Sequence, residues 1–313
     1  MNTFKKISIG ILICSTVVSV SAQQDPMYTH YMFNTLSVNP AYAGSRDALT
    51  ITALHRSQWV NQPGAPLTQT VNLHTPVSNR NIGIGFSAMK DKIGPVNNTM
   101  FAGDFAYIFQ LTKKSKLAFG MRAGMHIFQA NLNELLLDQQ VDPTFTNNVV
   151  NRVTPIVGAG VYYSRKRFYA GFSSPNLVEN NYSRLTSVDG TPLNGRMKRH
   201  YFFITGALFE LSKTMDFKPT ILVKASSAAP IQTDLTATFI FKNTLHFGGM
   251  VRLGDAFGGL IGLSIFQNLF LGYSYDWSLG NGNVNFSRWS HELVLRYDFL
   301  NSSNKQIQSP RYF

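Results

Sequence analysis

The chain has 313 residues, with 28 Lys and Arg against 16 Asp and Glu for a net charge of +12, a single cysteine, 13% aromatic residues and a mean hydropathy of −0.05. One cysteine excludes a disulfide framework and a thiolate metal cluster, and no stretch after the first 22 residues comes near the roughly 18 continuous apolar residues of a helical membrane span. The cations are scattered singly among strand-like segments, without a basic helix or dense cluster, so the charge argues against nucleic acid and for the lipid around a membrane protein.

The first segment, residues 1–22, has the form of a signal peptide. Lys5 and Lys6 precede a short apolar run from Ile7 to Val20, and Val20-Ser21-Ala22 offers small residues at a cleavage site. The apolar run is too short for a membrane anchor. A lipidated Cys14 is the alternative, but Ile13 stands where a small residue is wanted. Cleavage before Gln23 leaves no cysteine, so cysteine nucleophiles are excluded too. Loss of Lys5 and Lys6 leaves 26 basic against 16 acidic residues, a net charge of +10.

Residues 23–48 form an aromatic and amide-rich run, Gln24-Asp25-Pro26-Met27-Tyr28-Thr29-His30-Tyr31-Met32-Phe33-Asn34, followed by Asn39-Pro40-Ala41-Tyr42-Ala43-Gly44 with turn-forming punctuation. It is too short and too polar to span a membrane. Its tyrosines and asparagines suit packing against polar aromatic surface, either as an ordered plug in a barrel lumen or as a docking motif for a periplasmic partner.

From Leu49 to Phe299 the pattern has a period of two. Segments of about ten residues alternate apolar with small or polar positions between turn residues, which predicts roughly fourteen antiparallel strands of an up-and-down transmembrane β-barrel. In one segment Leu117, Phe119, Met121, Ala123, Met125 and Ile127 share a face, while Lys116, Gly120, Arg122, Gly124 and His126 share the other. In the last segment Leu293, Leu295, Tyr297 and Phe299 alternate with Glu292, Arg296 and Asp298. The segment His200–Leu211 is expected as one strand, and Leu132–Leu137 as a short helical turn in a loop. The connections at 113–115, 165–167 and 242–244 are short, whereas 131–152 and 175–199 are long, as expected for the periplasmic and outer sides of such a barrel. A soluble β-sandwich shares the alternation. The strand lengths, the charges Arg122, Lys224 and Arg252 within half-apolar strands, and the aromatic residues at strand ends favour the membrane. Residues 300–313 form a polar C-terminal tail.

No catalytic motif emerges. Gly262-Leu263-Ser264 and Gly272-Tyr273-Ser274 begin like a nucleophile elbow but lack its closing glycine and its strand-to-helix setting. Gly83-Ile84-Gly85 lacks the third glycine and helix of a dinucleotide site. Ser290, His291 and Glu292 are consecutive on a strand, so Ser290 and His291 face opposite ways. None of the histidines is spaced to share a metal with another. No catalytic residue, metal site or cofactor is expected.

Several motifs together carry a resemblance. Asp25-Pro26-x-Tyr28-Thr29-x-Tyr31-Met32-Phe33-Asn34, Asn39-Pro40-Ala41-Tyr42-Ala43-Gly44, Arg56-x-Gln58-Trp59, Gly64-Ala65-Pro66-x-Thr68, Asp91-Lys92-Ile93-Gly94-Pro95, Tyr273-x-Tyr275-Asp276 and His291-Glu292 resemble the PorP/SprF family. The resemblance implies an outer-membrane protein of the type IX secretion and gliding machinery. Some members of that family serve the core apparatus, and others support export or surface retention of a large adhesin. The partners so implied are a secreted adhesin-like protein, type IX secretion components, or both, with outer-membrane lipid around the barrel. Candidate plug or partner-binding residues are Asp25, Tyr28, Tyr31, Asn39, Tyr42, Arg56 and Trp59. A channel for small or hydrophobic solutes is the alternative function. The polar tail departs from the family habit of ending near the last strand.

Overall fold

The computed structural model describes residues 26–77, 81–131, 149–179, 197–227, 229–266, 268–279 and 289–299. The expected signal peptide, Asp25, the helical turn at Leu132–Leu137 and the C-terminal tail lie outside the described residues.

Among the described residues, fifteen strands follow a helical turn (Thr35–Val38) and a 3-10 turn (Pro40–Tyr42). They are β1 (Leu49–Ser57), β2 (Leu67–Val77), β3 (Ile82–Ile93), β4 (Val96–Thr112), β5 (Ser115–Ala130), β6 (Val149–Arg165), β7 (Phe168–Ser174) and β8 (His200–Ala207). There follow β9 (Phe209–Ser212), β10 (Met215–Ser226), β11 (Ala229–Phe241), β12 (Leu245–Arg252), β13 (Ala256–Ile265), β14 (Leu269–Ser278) and β15 (Trp289–Phe299). Each pairs antiparallel with its neighbours, and β15 pairs with β1 along the whole of β1, so the sheet closes on itself. The ring has 14 strands. The fifteenth, β9, adds no rung to it. β9 pairs with β10 in the same register as β8, with Gly206 opposite Thr220 and Phe209 opposite Phe217. The expected strand His200–Leu211 is therefore broken at Leu208, whose amide donates to the Arg167 carbonyl in the β6–β7 turn at 2.9 Å.

Closure matters because lipid offers backbone groups no hydrogen-bond partners, and a closed barrel leaves no sheet edge. The two faces then follow from the period of two. On β5 Phe119, Met121 and Met125 point outward while Arg122 and His126 are buried inside. On β15 Leu293, Leu295, Tyr297 and Phe299 are outside, and Glu292, Arg296 and Asp298 inside. Among the described residues no helix is long and apolar enough to cross a membrane; the strands do so.

The connections divide by end. Those at 78–81, 113–114, 166–167, 213–214, 242–244 and 266–268 are short and share one end, where the chain also enters β1 and leaves β15. The other end carries all the long ones, at 131–148, 175–199 and 279–288, together with 58–66 and the short connections at 94–95, 227–228 and 253–255. Lys242 and Asn243 both have positive φ, 49° and 57°, the backbone that lets a tight hairpin follow the strand twist.

Candidate functional site in the barrel lumen

The segment from Pro26 to Ala48 lies inside the ring, and nearly every residue of it is buried. Its backbone is short of regular partners, so side chains of the wall supply them. The densest cluster gathers at the end nearer the long connections. Glu292 accepts from the Thr29 amide at 2.9 Å, the His30 amide at 2.6 Å and His30 Nδ1 at 2.8 Å. Arg56 Nη1 donates to Asp276 Oδ2 at 2.6 Å, to Glu292 Oε2 at 3.2 Å and to Thr29 Oγ1 at 3.1 Å. Thr29 Oγ1 in turn donates to Asp276 Oδ2 at 2.5 Å. One cation, two carboxylates and the start of the segment thus form a single network, which is how buried charge is tolerated.

Two further anchors hold the segment along its length. Arg122, fixed by Asp104 at 2.6 Å, donates to the Leu36 carbonyl at 2.6 Å and the Ser37 carbonyl at 3.1 Å, satisfying the last carbonyls of the short helical turn. Near the short-turn end Arg46 grips Asp298 through Nε at 3.0 Å and Nη2 at 2.7 Å. Burial alone would lower the Arg46 pKa, but the adjoining Asp298 charge overrides it and raises the group above its ordinary value.

Close approach of backbone to wall requires glycine at two places. A Cβ on Gly83 would sit 2.0 Å from the Ala43 carbonyl oxygen, and one on Gly120 would sit 2.2 Å from the Ala41 amide nitrogen. The Gly83-Ile84-Gly85 pair is therefore clearance for the segment, facing Gly44 at φ +68°.

The residues singled out in the sequence fall into two groups. Tyr28, Tyr31, Asn39, Tyr42 and Arg56 are all buried in the lumen. Tyr28 reaches Met89 Sδ at 3.5 Å, and the Tyr31 hydroxyl meets Thr220 at 3.0 Å and Thr236 at 3.2 Å. Burial pushes the Tyr31 phenol well above its ordinary pKa. Asn39 donates to the Val161 carbonyl at 3.1 Å and caps the 3-10 turn by accepting from the Ala41 amide at 2.9 Å. Tyr42 packs edge-on against His74 and Tyr162, with ring centroids 5.2 and 5.3 Å away. Trp59 stands apart. It is 40% exposed in the β1–β2 connection, at the long-connection end, where its indole donates to Ser278 Oγ at 3.4 Å.

The sequence reading did not select the partners Glu292, Asp276, Asp298, Arg46, Arg122, Thr29 and His30 for this site. For Glu292, Asp276, Asp298 and Arg122 the signal was present as charged residues on the inward face of half-apolar strands, which in a lumen need opposite charges; Thr29, His30 and Arg46 lie in the lumenal segment itself. Ser290 and Glu292 point inward while His291 points outward and meets the Tyr273 hydroxyl at 2.7 Å, so no nucleophile and base come together there. Among the described residues no group of His, Cys, Asp and Glu is placed to hold a metal ion. A cavity of about 340 Å³ remains beside the segment, toward the long-connection end, between Tyr28, Met89, Met100, Phe128, Ile156 and Phe202.

Known structures of the same shape are outer-membrane barrels. The Ralstonia pickettii toluene transporter TbuX superposes with a TM-score of 0.52 at 10% identity, covering 85% of this chain and 93% of its own. The CymD monoaromatic hydrocarbon channel gives 0.50 at 12% identity, covering 86% and 93%. At these identities the likeness is one of fold. A comparison with curated proteins returns no match. The family model for the type IX secretion system membrane protein PorP/SprF matches residues 20–297, nearly the whole described barrel together with its lumenal segment, and the chain belongs to that family of outer-membrane proteins.

Proposed function

We propose that this barrel is a non-enzymatic, plugged member of the type IX secretion and gliding apparatus, which supports export or surface anchoring of a partner protein such as an adhesin. The observation that carries this reading is the filled lumen. Residues 26–48 are tied to the wall by Glu292, Arg56, Arg122 and Asp298, so the ring is a rigid support and not an open pore. Tyr28, Tyr31, Asn39, Tyr42 and Arg56 hold the plug. Asp25, just before it, and Trp59, exposed beside the long connections, are the candidates for partner contact. Short turns in bacterial barrels lie on the periplasmic side, which puts the long connections and Trp59 outside, where a secreted partner arrives, and the short turns toward the periplasmic components.

A second reading, a channel for small or hydrophobic solutes, is favoured by the 340 Å³ cavity with its apolar wall of Met89, Met100, Ile156 and Phe202. Two measurements separate them. The purified barrel in a planar bilayer is expected to be electrically silent and to co-purify with a surface protein whose export fails when the gene is deleted. A stable conductance together with normal export in the deletion strain refutes the support role and favours the channel.

A further inference from the structure

The lumen and the long connections do not account for the charge at the short-turn end. Four consecutive hairpins there, β4–β5, β6–β7, β9–β10 and β11–β12, carry Lys113, Lys114, Arg165, Lys166, Arg167, Lys213 and Lys242, all exposed. Among the described residues, the acidic side chains at the turns of these four hairpins are Glu210, which pairs with Arg167, and Asp216. Lys116, on the same arc, points inward to Asp47 at 3.7 Å and takes no part. The four hairpins occupy roughly 30–35 Å of rim at the usual strand spacing. Their turns are tied together, with the Lys242 amide donating to the Thr214 carbonyl at 2.8 Å. Arg80, in the β2–β3 connection on the other half of that rim, lies outside the described residues.

What lies just inside this arc decides the partner. Exposed Phe109 and Leu111 on β4, Phe168 on β7, Phe209 and Leu211 on β9 and Phe241 on β11 form an apolar and aromatic band directly beneath the cations. Lys242 Nζ sits 5.3 Å from the Phe241 ring centroid, at the junction of the two. Aromatic residues mark the headgroup level of a membrane, and lysines beyond them reach for phosphate. The cations and the band lie on the same hairpins, so the charged arc is continuous with the lipid-facing wall.

We infer that this arc is a binding surface for anionic phospholipid headgroups, recruiting them to one side of the barrel in the periplasm-facing leaflet. The leaflet rests on the orientation proposed above; the contact itself does not. Six of the seven cations have no ion-pair partner among the described residues, and each Lys or Arg near an anionic surface strengthens attraction several-fold.

The test uses the full-length protein, purified and placed in phosphatidylcholine nanodiscs with a minor fraction of phosphatidylglycerol, with retained lipid quantified after detergent extraction. Wild type is expected to enrich phosphatidylglycerol. The variant K113Q/K114Q/K166Q/K213Q/K242Q is expected to lose that enrichment, retaining phosphatidylglycerol only at its bulk fraction, while keeping heat-modifiable migration on gels. K90Q/K92Q, at the opposite end, is expected to change it less than about twofold, and high salt to suppress it in wild type. Equal retention by wild type and the five-site variant, or equal loss in both variants, overturns the proposal. So does tight binding of soluble polyglutamate to wild type in neutral nanodiscs without phosphatidylglycerol enrichment, which would assign the arc to an acidic protein. Orientation is read separately from K114C, expected to react with an impermeant maleimide only after the outer membrane is opened. Labelling on intact cells sinks the leaflet assignment and leaves the nanodisc result to decide the lipid contact.

Discussion

Replacing Glu292 by alanine removes the acceptor for four donors at once: the Thr29 and His30 amides, His30 Nδ1 and Arg56 Nη1. Breaking a buried charged pair by deleting one partner costs about 3–5 kcal/mol. Arg56 keeps Asp276 at 2.6 Å, so the low end applies, about 3 kcal/mol or roughly a hundredfold in the opening equilibrium of residues 26–30. The strand pairing of β15 is untouched, because the backbone ladders to β1 and β14 do not involve the side chain. The assay is maleimide labelling of M27C, a position 8% exposed, in a chain whose one native cysteine, Cys14, lies in the segment read as a signal peptide. E292A is expected to label about a hundredfold faster than the Glu292 parent and E292Q, which retains an oxygen, about tenfold faster. Equal rates in all three, with heat-modifiable migration intact, would show that the carboxylate does not hold the segment.

Three further outcomes follow from the same geometry. G83A places a methyl 2.0 Å from the Ala43 carbonyl oxygen, a backbone atom that cannot turn aside, so thermal unfolding in detergent is expected to come earlier by the equivalent of about 1–3 kcal/mol; an unchanged melting curve contradicts the close approach. Y31F removes the hydroxyl that bridges Thr220 and Thr236 and is expected to cost about 1 kcal/mol in urea titration, a loss that should vanish in the T220V/T236V background. M121R puts a cation on the outward face of β5 and is expected to lower stability in lipid vesicles by about 2–4 kcal/mol, with a much smaller effect in detergent. Equal tolerance in both media would mean that Met121 does not face hydrocarbon.

The ring was legible because each of its strands must satisfy lipid on one side and a polar enclosure on the other. That demand writes a period of two into every segment, as Phe119 and Met121 against Arg122 or Leu295 and Tyr297 against Arg296 illustrate. The break at Leu208 left no such mark, since both pieces keep the same register against β10. The lumenal network was less legible. Tyr28, Tyr31, Asn39, Tyr42 and Arg56 stood out by type and motif, but Glu292 and Asp276 meet Arg56 across 236 and 220 residues of chain. Which inward charges meet depends on register and on where the sheet closes, and a single strand pattern encodes neither. Trp59 shared a motif with Arg56 and yet sits in another environment, because a loop after β1 separates them.

The carboxylates that capture Thr29, His30 and Arg46 belong to β14 and β15, 247 to 263 residues further along the chain. The segment must therefore wait, unsatisfied, until strands made that much later arrive, since long-range contacts form only after their loop entropy has been overcome. Locking of the lumen thus reports that β14 and β15 have been made and inserted, and a polypeptide cut short before Trp289 would have Asp276 but neither Glu292 nor Asp298 with which to fasten it.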